Sequence, residues 1–375
     1  MKIVIIGGVA GGASAAARLR RLDEQAEIVV FERTGYMSYA NCGLPYYIGG
    51  VIRDEADLSL QTPESFYARF RIDVRVRQEV TSIDRAAKTV SVRPLDGGAP
   101  YTEHYDKLIL SPGARPVKPP LPGVDSARVF TLRTVEDTLR LRAQAMSAGS
   151  GSAVIVGGGF IGVELAENFR ELGLRVTIVE KQPQLLGQFD ADMVSFLHAH
   201  LREKGVGLLL GRSVERFAET ADGIIVHTDG GALPQADMAV LAIGVTPENT
   251  LAEAAGLELG ARGAIAVDAH MRTSDPDIYA VGDAVEVIDR TTGRRTTVAL
   301  AGPANRQGRV AADNICSLPS VYRGAAGSSV LKVFDRTAAS TGISERTARG
   351  LGIDCAAVIL SPLSHASYYP GAQVR

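Results

Sequence analysis

An α/β protein made of two parallel-sheet units, one inserted into the other, is what the sequence predicts. Three observations carry that prediction: a strand, glycine turn, helix, strand pattern at residues 2–33, its repetition at 152–181, and short crossing segments around the repeat. The first unit, "KIVIIGGVAGGASAAARLRRLDEQAEIVVFER", opens on the apolar run 2–6, as a strand buried on both faces requires. A helix is expected over 11–22, and "AEIVVFE" supplies the next strand. Gly7, Gly8, Gly11 and Gly12 let the backbone turn sharply and aim helix N–H groups at a pyrophosphate. Glu32, at the tip of the second strand, is placed to bond a ribose hydroxyl pair. The unit departs from G-x-G-x-x-G at Val9.

The second unit, "SAVIVGGGFIGVELAENFRELGLRVTIVEK", carries that pattern intact at Gly157, Gly159 and Gly162. A helix over 160–172 and the strand "RVTIVE" follow, ending at Glu180. Two Rossmann-like units in one chain imply two dinucleotides. The Glu180 carboxylate would accept bonds from the ribose hydroxyls of NADH and repel the 2′-phosphate of NADPH, a preference that the neighbouring Lys181 softens.

The connections explain the order. "KLILSPGARP" (107–116) is a buried strand ending in a Pro-Gly turn, which hands the chain from the first unit to the second. "LAIGVTPEN" (241–249) is the return crossing. "TSDPDIYAVGDAVEV" (273–287) adds a strand and then Gly282-Asp283, where an acid can reach a ribityl or phosphate-linked hydroxyl.

Bulk properties narrow the class. With 375 residues the chain is long enough for two or three domains. Hydrophobic residues make up 46% and charged residues 22%, the balance of a soluble globular protein. A formal charge of -2 shows no bias toward nucleic acid or an acidic membrane surface. No apolar run approaches the ~20 residues that span a bilayer. The opening "MKIVIIGG" enters a strand at once, so no signal peptide is expected. The three cysteines, 42, 316 and 355, indicate neither a disulfide framework nor a metal site, and a reducing cytoplasm fits. Cys316 and Cys355 are expected in a helix and a strand, as core residues.

Cys42 stands apart, in the loop "SYANCGLPYYIGG" (38–50). With no partner sulfur nearby, its electron store must be a bond to something outside the chain, or a sulfenate. Ser38 and Asn41 supply polar contacts beside it. On the first helix, Ser14, Arg18 and Arg21 share one face. That stripe is open to two readings, a solvated basic face or a seat for an anionic substrate.

Taken together, "GGVAGGASAAARLRRLD", "SYANCGLPYYIGG", "YDKLILSPGARP", "AGPANRQGRVAADNI" and "SHASYYPGA" resemble the FAD-dependent pyridine nucleotide–disulfide oxidoreductases. Within that family the chain resembles the single-cysteine branch, coenzyme A-disulfide reductases and their persulfide-reductase relatives, and Val9 is what that branch carries. The resemblance covers essentially the whole chain.

It implies FAD at Gly7, Gly8, Val9, Ala10, Gly11, Gly12, Glu32, Val80 and Asp283, and NADH at Gly157, Gly159, Phe160, Ile161, Gly162 and Glu180. Arg33, Ser111, Gly113, Gly244, Gly282 and Ala301 are implied as further cofactor contacts. Tyr47 stands where two-cysteine relatives carry their second sulfur, and Ala10 replaces the histidine of peroxide-reducing relatives. The implied function is electron transfer from NADH through FAD and a Cys42–S–S–CoA mixed disulfide to coenzyme A disulfide, CoA persulfide or polysulfide. An NADH oxidase or peroxidase working through a Cys42 sulfenate, and a flavin-based redox sensor or electron carrier, stay open beside it.

For the substrate, the resemblance implies contacts from Ser14, Arg18, Arg21, Ser38, Asn41 and Asn305. Phe70, between Arg69 and Arg71, occupies a position where relatives carry a basic residue. Tyr368 or Tyr369 is implied as the acid that protonates the leaving thiolate in a partner subunit of a homodimer. The implied domains are 1–115 and 245–321 for FAD, 116–244 for NADH, and an α+β dimerisation domain starting at 322. Chains of this branch continue beyond the point corresponding to Arg375, in some cases into a rhodanese module, so a longer natural protein is expected.

Overall fold

The computed structural model describes residues 1–371 of the chain. Its first sheet is parallel, with the order Ile278–Ala280, Lys107–Leu110, Lys2–Ile6, Glu27–Glu32, Asp73–Val76. Val4, Ile5, Val30 and Ile109 are fully or almost fully buried, in a core that the sheet shares with helix residues such as Ala15 and Leu19 and with Val80, Val90 and Val92 of a small antiparallel sheet. Ala15 and Leu19 belong to the first glycine helix, Ala10–Leu22, which starts one residue earlier than the sequence predicts. It packs along the helix Ala301–Ile315, and the approach is close: a Cβ on Gly308 would lie 2.4 Å from the Gly11 carbonyl oxygen.

The second sheet repeats this design in the order Val206–Leu210, Arg175–Glu180, Ser152–Val156, Met238–Leu241, Val129–Thr131. Its glycine helix, Phe160–Glu171, stops one residue short of the predicted end. The chain leaves the first sheet after Lys107–Leu110 and regains it at Ile278–Ala280, so the second sheet is an insertion in the first. The two crossings run side by side: Ala114–Pro116 pairs antiparallel with Val245–Pro247. Pairing satisfies the backbone groups of both linkers at once.

A smaller antiparallel sheet, Gln78–Asp84, Thr89–Pro94 and Tyr101–His104, flanks the first unit. After residue 322 come the hairpin Ser329–Val333/Arg336–Ser340 and the helix Glu345–Gly350. The hairpin leans on the second glycine helix: the buried Glu167 carboxylate accepts the Phe334 N–H at 2.7 Å and pairs with Lys332.

Two expectations about sulfur placement fail in part. Cys316 caps the end of helix Ala301–Ile315 and packs half-buried against the first core. Cys355 lies in no strand and is exposed, because residues 354–360 have no strand neighbour among the described residues.

Candidate active site

The two glycine turns are built alike. Gly7 has φ +99° and Gly157 φ +110°, and a Cβ on either would strike the backbone of the next strand's end, 2.0 Å from Ser111 O or 2.4 Å from Ala242 O. Only glycine fits such a crossing. The strand-end acids close onto these turns. Glu32 accepts the N–H of Gly8 at 2.9 Å and of Thr34 at 2.9 Å. Glu180 accepts from Gly158 and Gln182, both at 2.7 Å. A carboxylate has about four lone-pair directions, so Glu180 keeps capacity for a ribose hydroxyl pair, while Glu32, which also accepts the Thr34 hydroxyl at 2.9 Å, keeps one direction open.

Several first-unit positions converge. A Cβ on Gly11 would lie 2.9 Å from Ser111 Oγ, and Gly282 borders the same hydroxyl. Gly282 donates to the buried Gln307 side chain at 2.7 Å, and Asp283 is held by Arg133 at 3.1 Å beside Gly113. Val80 is buried in its strand next to a register shift, Arg33 is exposed 3.9 Å from Glu79, and Ala301 opens its helix in solvent. In the second unit Gly159 and Gly244 have open space where a Cβ would sit, while Phe160 and Ile161 lean on the second core. Two glycine cradles, each closed by an acid, with open space at Gly159 and Gly244 of the second, fit two dinucleotides.

Cys42 sits in the 3-10 turn Asn41–Gly43 that runs straight into the helix Leu44–Ile48. Local chemistry explains the turn: Pro45 lies in the first turn of that helix, where its missing N–H costs nothing. The loop reaches the first glycine turn through Ser38 N–H, which donates to Gly8 O at 2.8 Å. The helix packs against the second unit: Arg142 stacks 4.2 Å over the Tyr47 ring and donates to the Tyr47 carbonyl, and Asn168 abuts Gly49. Cys42 is therefore at the seam of both units. It is exposed, like Cys355, and no cysteine is paired. Partial burial of the thiol, and then the carboxylates of Glu164 and Asp283, raise its pKa. The Asn41 side-chain oxygen nearby is buried without a partner, free for a ligand.

The substrate stripe on the first helix divides. Ser14 donates to Asn305 at 2.9 Å, so these two predicted contacts meet. Arg18 pairs with Asp313 at 2.8 Å, leaving Arg21 exposed, over the Phe70 ring at 5.7 Å together with Arg69 at 5.1 Å. Tyr368 and Tyr369 are 80% and 58% exposed, and their ring contacts are to each other and to His365. The structure does not bring them to Cys42 within one chain.

Sequence reading passed over Tyr46 and Glu164, which bond each other at 3.3 Å, as well as Arg133 and Gln307. Glu164 did leave a signal, an acid inside a glycine helix whose neighbours Val163 and Leu165 are fully buried. Among the described residues no acidic, histidine or cysteine cluster could hold a metal, and no helix is long and apolar enough to cross a membrane.

Comparison with known proteins follows the same lines. Across 375 residues the chain is 35% identical to an NADH oxidase of Methanocaldococcus jannaschii, covering all of this chain and 83% of that one. Over 371 residues it is 33% identical to a coenzyme A disulfide reductase of Staphylococcus aureus, covering 99% and 83%. The solved structure of reduced Bacillus anthracis CoADR-RHD superposes with a TM-score of 0.96 at 47% identity, covering 100% of this chain and 67% of that one. An NAD-dependent persulfide reductase from A. fulgidus superposes equally, TM-score 0.96, at 38% identity and 70% of its length. Residues 1–308 match the family of pyridine nucleotide-disulphide oxidoreductases, and the chain belongs to it.

Proposed function

We propose that the chain is a flavoprotein oxidoreductase that carries electrons from NADH to coenzyme A disulfide or CoA persulfide, with Cys42 as its redox sulfur. The observation that carries this reading is the place of Cys42: an unpaired, accessible thiol in a turn held by both dinucleotide units at once. FAD, when bound, supplies the two-electron exchange between NADH and sulfur. In this proposal residues 1–115 and 245–321 hold FAD, residues 116–244 hold NADH, and residues from 322 begin a dimerisation segment.

The chain's own residues do the rest. The Cys42 sulfur attacks the substrate disulfide and keeps one half as a mixed disulfide, while the other half leaves as a thiolate. Arg21, with its guanidinium exposed beside Phe70, is placed to meet a coenzyme phosphate, and the Ser14–Asn305 pair lines the same side. Glu180 sets the preference for NADH. Tyr368 or Tyr369, exposed in the single chain, reaches the site of a second copy and donates the proton to the leaving thiolate.

Oxygen as the acceptor is the second reading, favoured by the likeness to an NADH oxidase. Mass spectrometry of Cys42 before and after anaerobic titration with NADH, with oxygen uptake measured separately in aerated buffer, separates them. A coenzyme A-sized adduct that NADH removes supports the disulfide reading. An adduct-free Cys42 with rapid NADH-driven oxygen consumption overturns it.

A further inference from the structure

Tyr46 and Glu164 lie outside every role assigned above, and they come together from residues 118 apart in sequence. We propose that Glu164, acting through Tyr46, is the proton store of Cys42: it takes the thiol proton when the sulfur attacks and returns it when the thiol re-forms. The inference rests on the disulfide chemistry proposed above and adds to it two residues of this same chain.

Geometry is the first support. The backbone from Asn41 to Ile48 is helical throughout, with Gly43 and Leu44 both in the right-handed region. Residues four apart on such a stretch lie on one face, so Tyr46 stands one turn from Cys42. Its hydroxyl donates to Glu164 Oε1 at 3.3 Å, across the seam between the cysteine helix and the second glycine helix. The phenol thus stands one helical turn from the thiol on one side and is hydrogen-bonded to the Glu164 carboxyl on the other.

Electrostatics supply the second support. Burial, with the neighbouring Glu167 adding to it against the Tyr46 hydrogen bond, pushes the Glu164 carboxyl up to about 7, where it gains and loses a proton near neutrality. Burial and then the Glu164 carboxylate raise the Tyr46 phenol, which therefore stays protonated as a relay. The Cys42 thiol is raised as well, so its attack needs a base at hand. The charged groups around these three are few. Glu167 lies one turn along the same helix and is itself paired with Lys332 of the hairpin, Asp283 faces Cys42, and Arg142 is stacked on Tyr47. None of these hydrogen-bonds Glu164.

The step balances. A Cys42 Sγ–S bond forms and the substrate S–S bond breaks. The departing thiolate takes the bonding pair, and the thiol proton passes by way of the Tyr46 hydroxyl to Glu164. No outside oxidant or base is required.

Two measurements on the FAD-loaded protein test the proposal, one of them free of any assumption about substrate. Alkylation of NADH-reduced Cys42 by iodoacetamide is followed against pH. Wild type should show an inflection near 7 in addition to the thiol's own, and Glu164→Gln should lose it. With the carboxylate charge removed, the variant's thiol should ionise more readily and react faster than wild type at mildly alkaline pH. Superimposable profiles would show that Glu164 does not reach Cys42 and would overturn the proposal. Tyr46→Phe keeps the carboxylate and removes only the relay. It should keep the wild-type charge effect on alkylation but lower kcat with the disulfide substrate by roughly a hundredfold, the usual size of a lost acid–base group. Unchanged kcat in Tyr46→Phe overturns the relay even if Glu164 couples to the thiol. If wild type turns over no coenzyme A substrate, the function proposed above fails, while the alkylation profiles still decide the Glu164–Cys42 coupling.

Discussion

Cys42 offers the sharpest single-residue prediction. A serine oxygen cannot form the mixed disulfide, so Cys42→Ser should bind FAD, be reduced by NADH and then stall, with almost no turnover of coenzyme A disulfide. Stopped-flow absorbance of the flavin and steady-state NADH consumption measure both halves. Retention of most disulfide reductase activity would return Cys42 to the status of a packed thiol. The two arginines of the first helix give a second prediction. Arg21 is exposed and has no carboxylate partner among the described residues, whereas Arg18 already bonds Asp313 at 2.8 Å. A charge-assisted phosphate bond is worth roughly 1.5–3 kcal/mol. Arg21→Ala should therefore raise KM for coenzyme A substrates on the order of tenfold to a hundredfold, and Arg18→Ala by clearly less, with flavin reduction by NADH unchanged in both. Equal effects with a small polysulfide would show that neither arginine reads coenzyme A.

At the scale of elements, the contact between the first glycine helix and helix Ala301–Ile315 positions the first cradle. Its tightest point is Gly308, where a Cβ would lie 2.4 Å from Gly11 O and 3.0 Å from Ala15 N. The neighbour is backbone, which cannot swing aside as a side-chain tip can, so the helices must separate. Gly308→Ala should cost about 1–3 kcal/mol, seen as a lower Tm, and should weaken FAD retention because Gly11 belongs to the cradle. Gly302, on the same helix, has nothing within 4 Å of its would-be Cβ. Gly302→Ala is the control and should leave Tm unchanged or slightly raised. These elements also show how legibility varies along the chain. Each βα turn could be read directly, since glycine turn and acid lie within one contiguous unit. The match of one helix to another depends on shape at positions hundreds of residues apart, which no local pattern records.

For the whole molecule, Glu167 ties the hairpin after residue 322 to the inserted unit. The residue is 3% exposed, and its carboxylate accepts the Phe334 N–H and pairs with Lys332. Glu167→Ala leaves that N–H buried without a partner, which should cost about 1–3 kcal/mol. Hydrogen exchange should rise across residues 329–340 while the first sheet keeps its protection. Uniform protection in the variant would mean that apolar packing of Leu331 and Val333 holds the hairpin unaided.

What the sequence by itself determined is local. Strand, glycine turn and terminal acid follow from the sterics of Gly7 and Gly157 and from the reach of Glu32 and Glu180, all within about thirty residues. The insertion was legible too, because the repeated unit interrupts a sheet whose strands are themselves recognisable. Tertiary structure alone decided which charges are free and which are spent: Arg18 on Asp313, Asp283 on Arg133, Ser14 on Asn305. It also placed Glu164 against Tyr46 and raised its carboxyl to about 7, turning an ordinary helix glutamate into a titrating group. Burial and pairing arise only when distant segments pack, and the protonation of a carboxyl depends on those surroundings rather than on its neighbours in the chain.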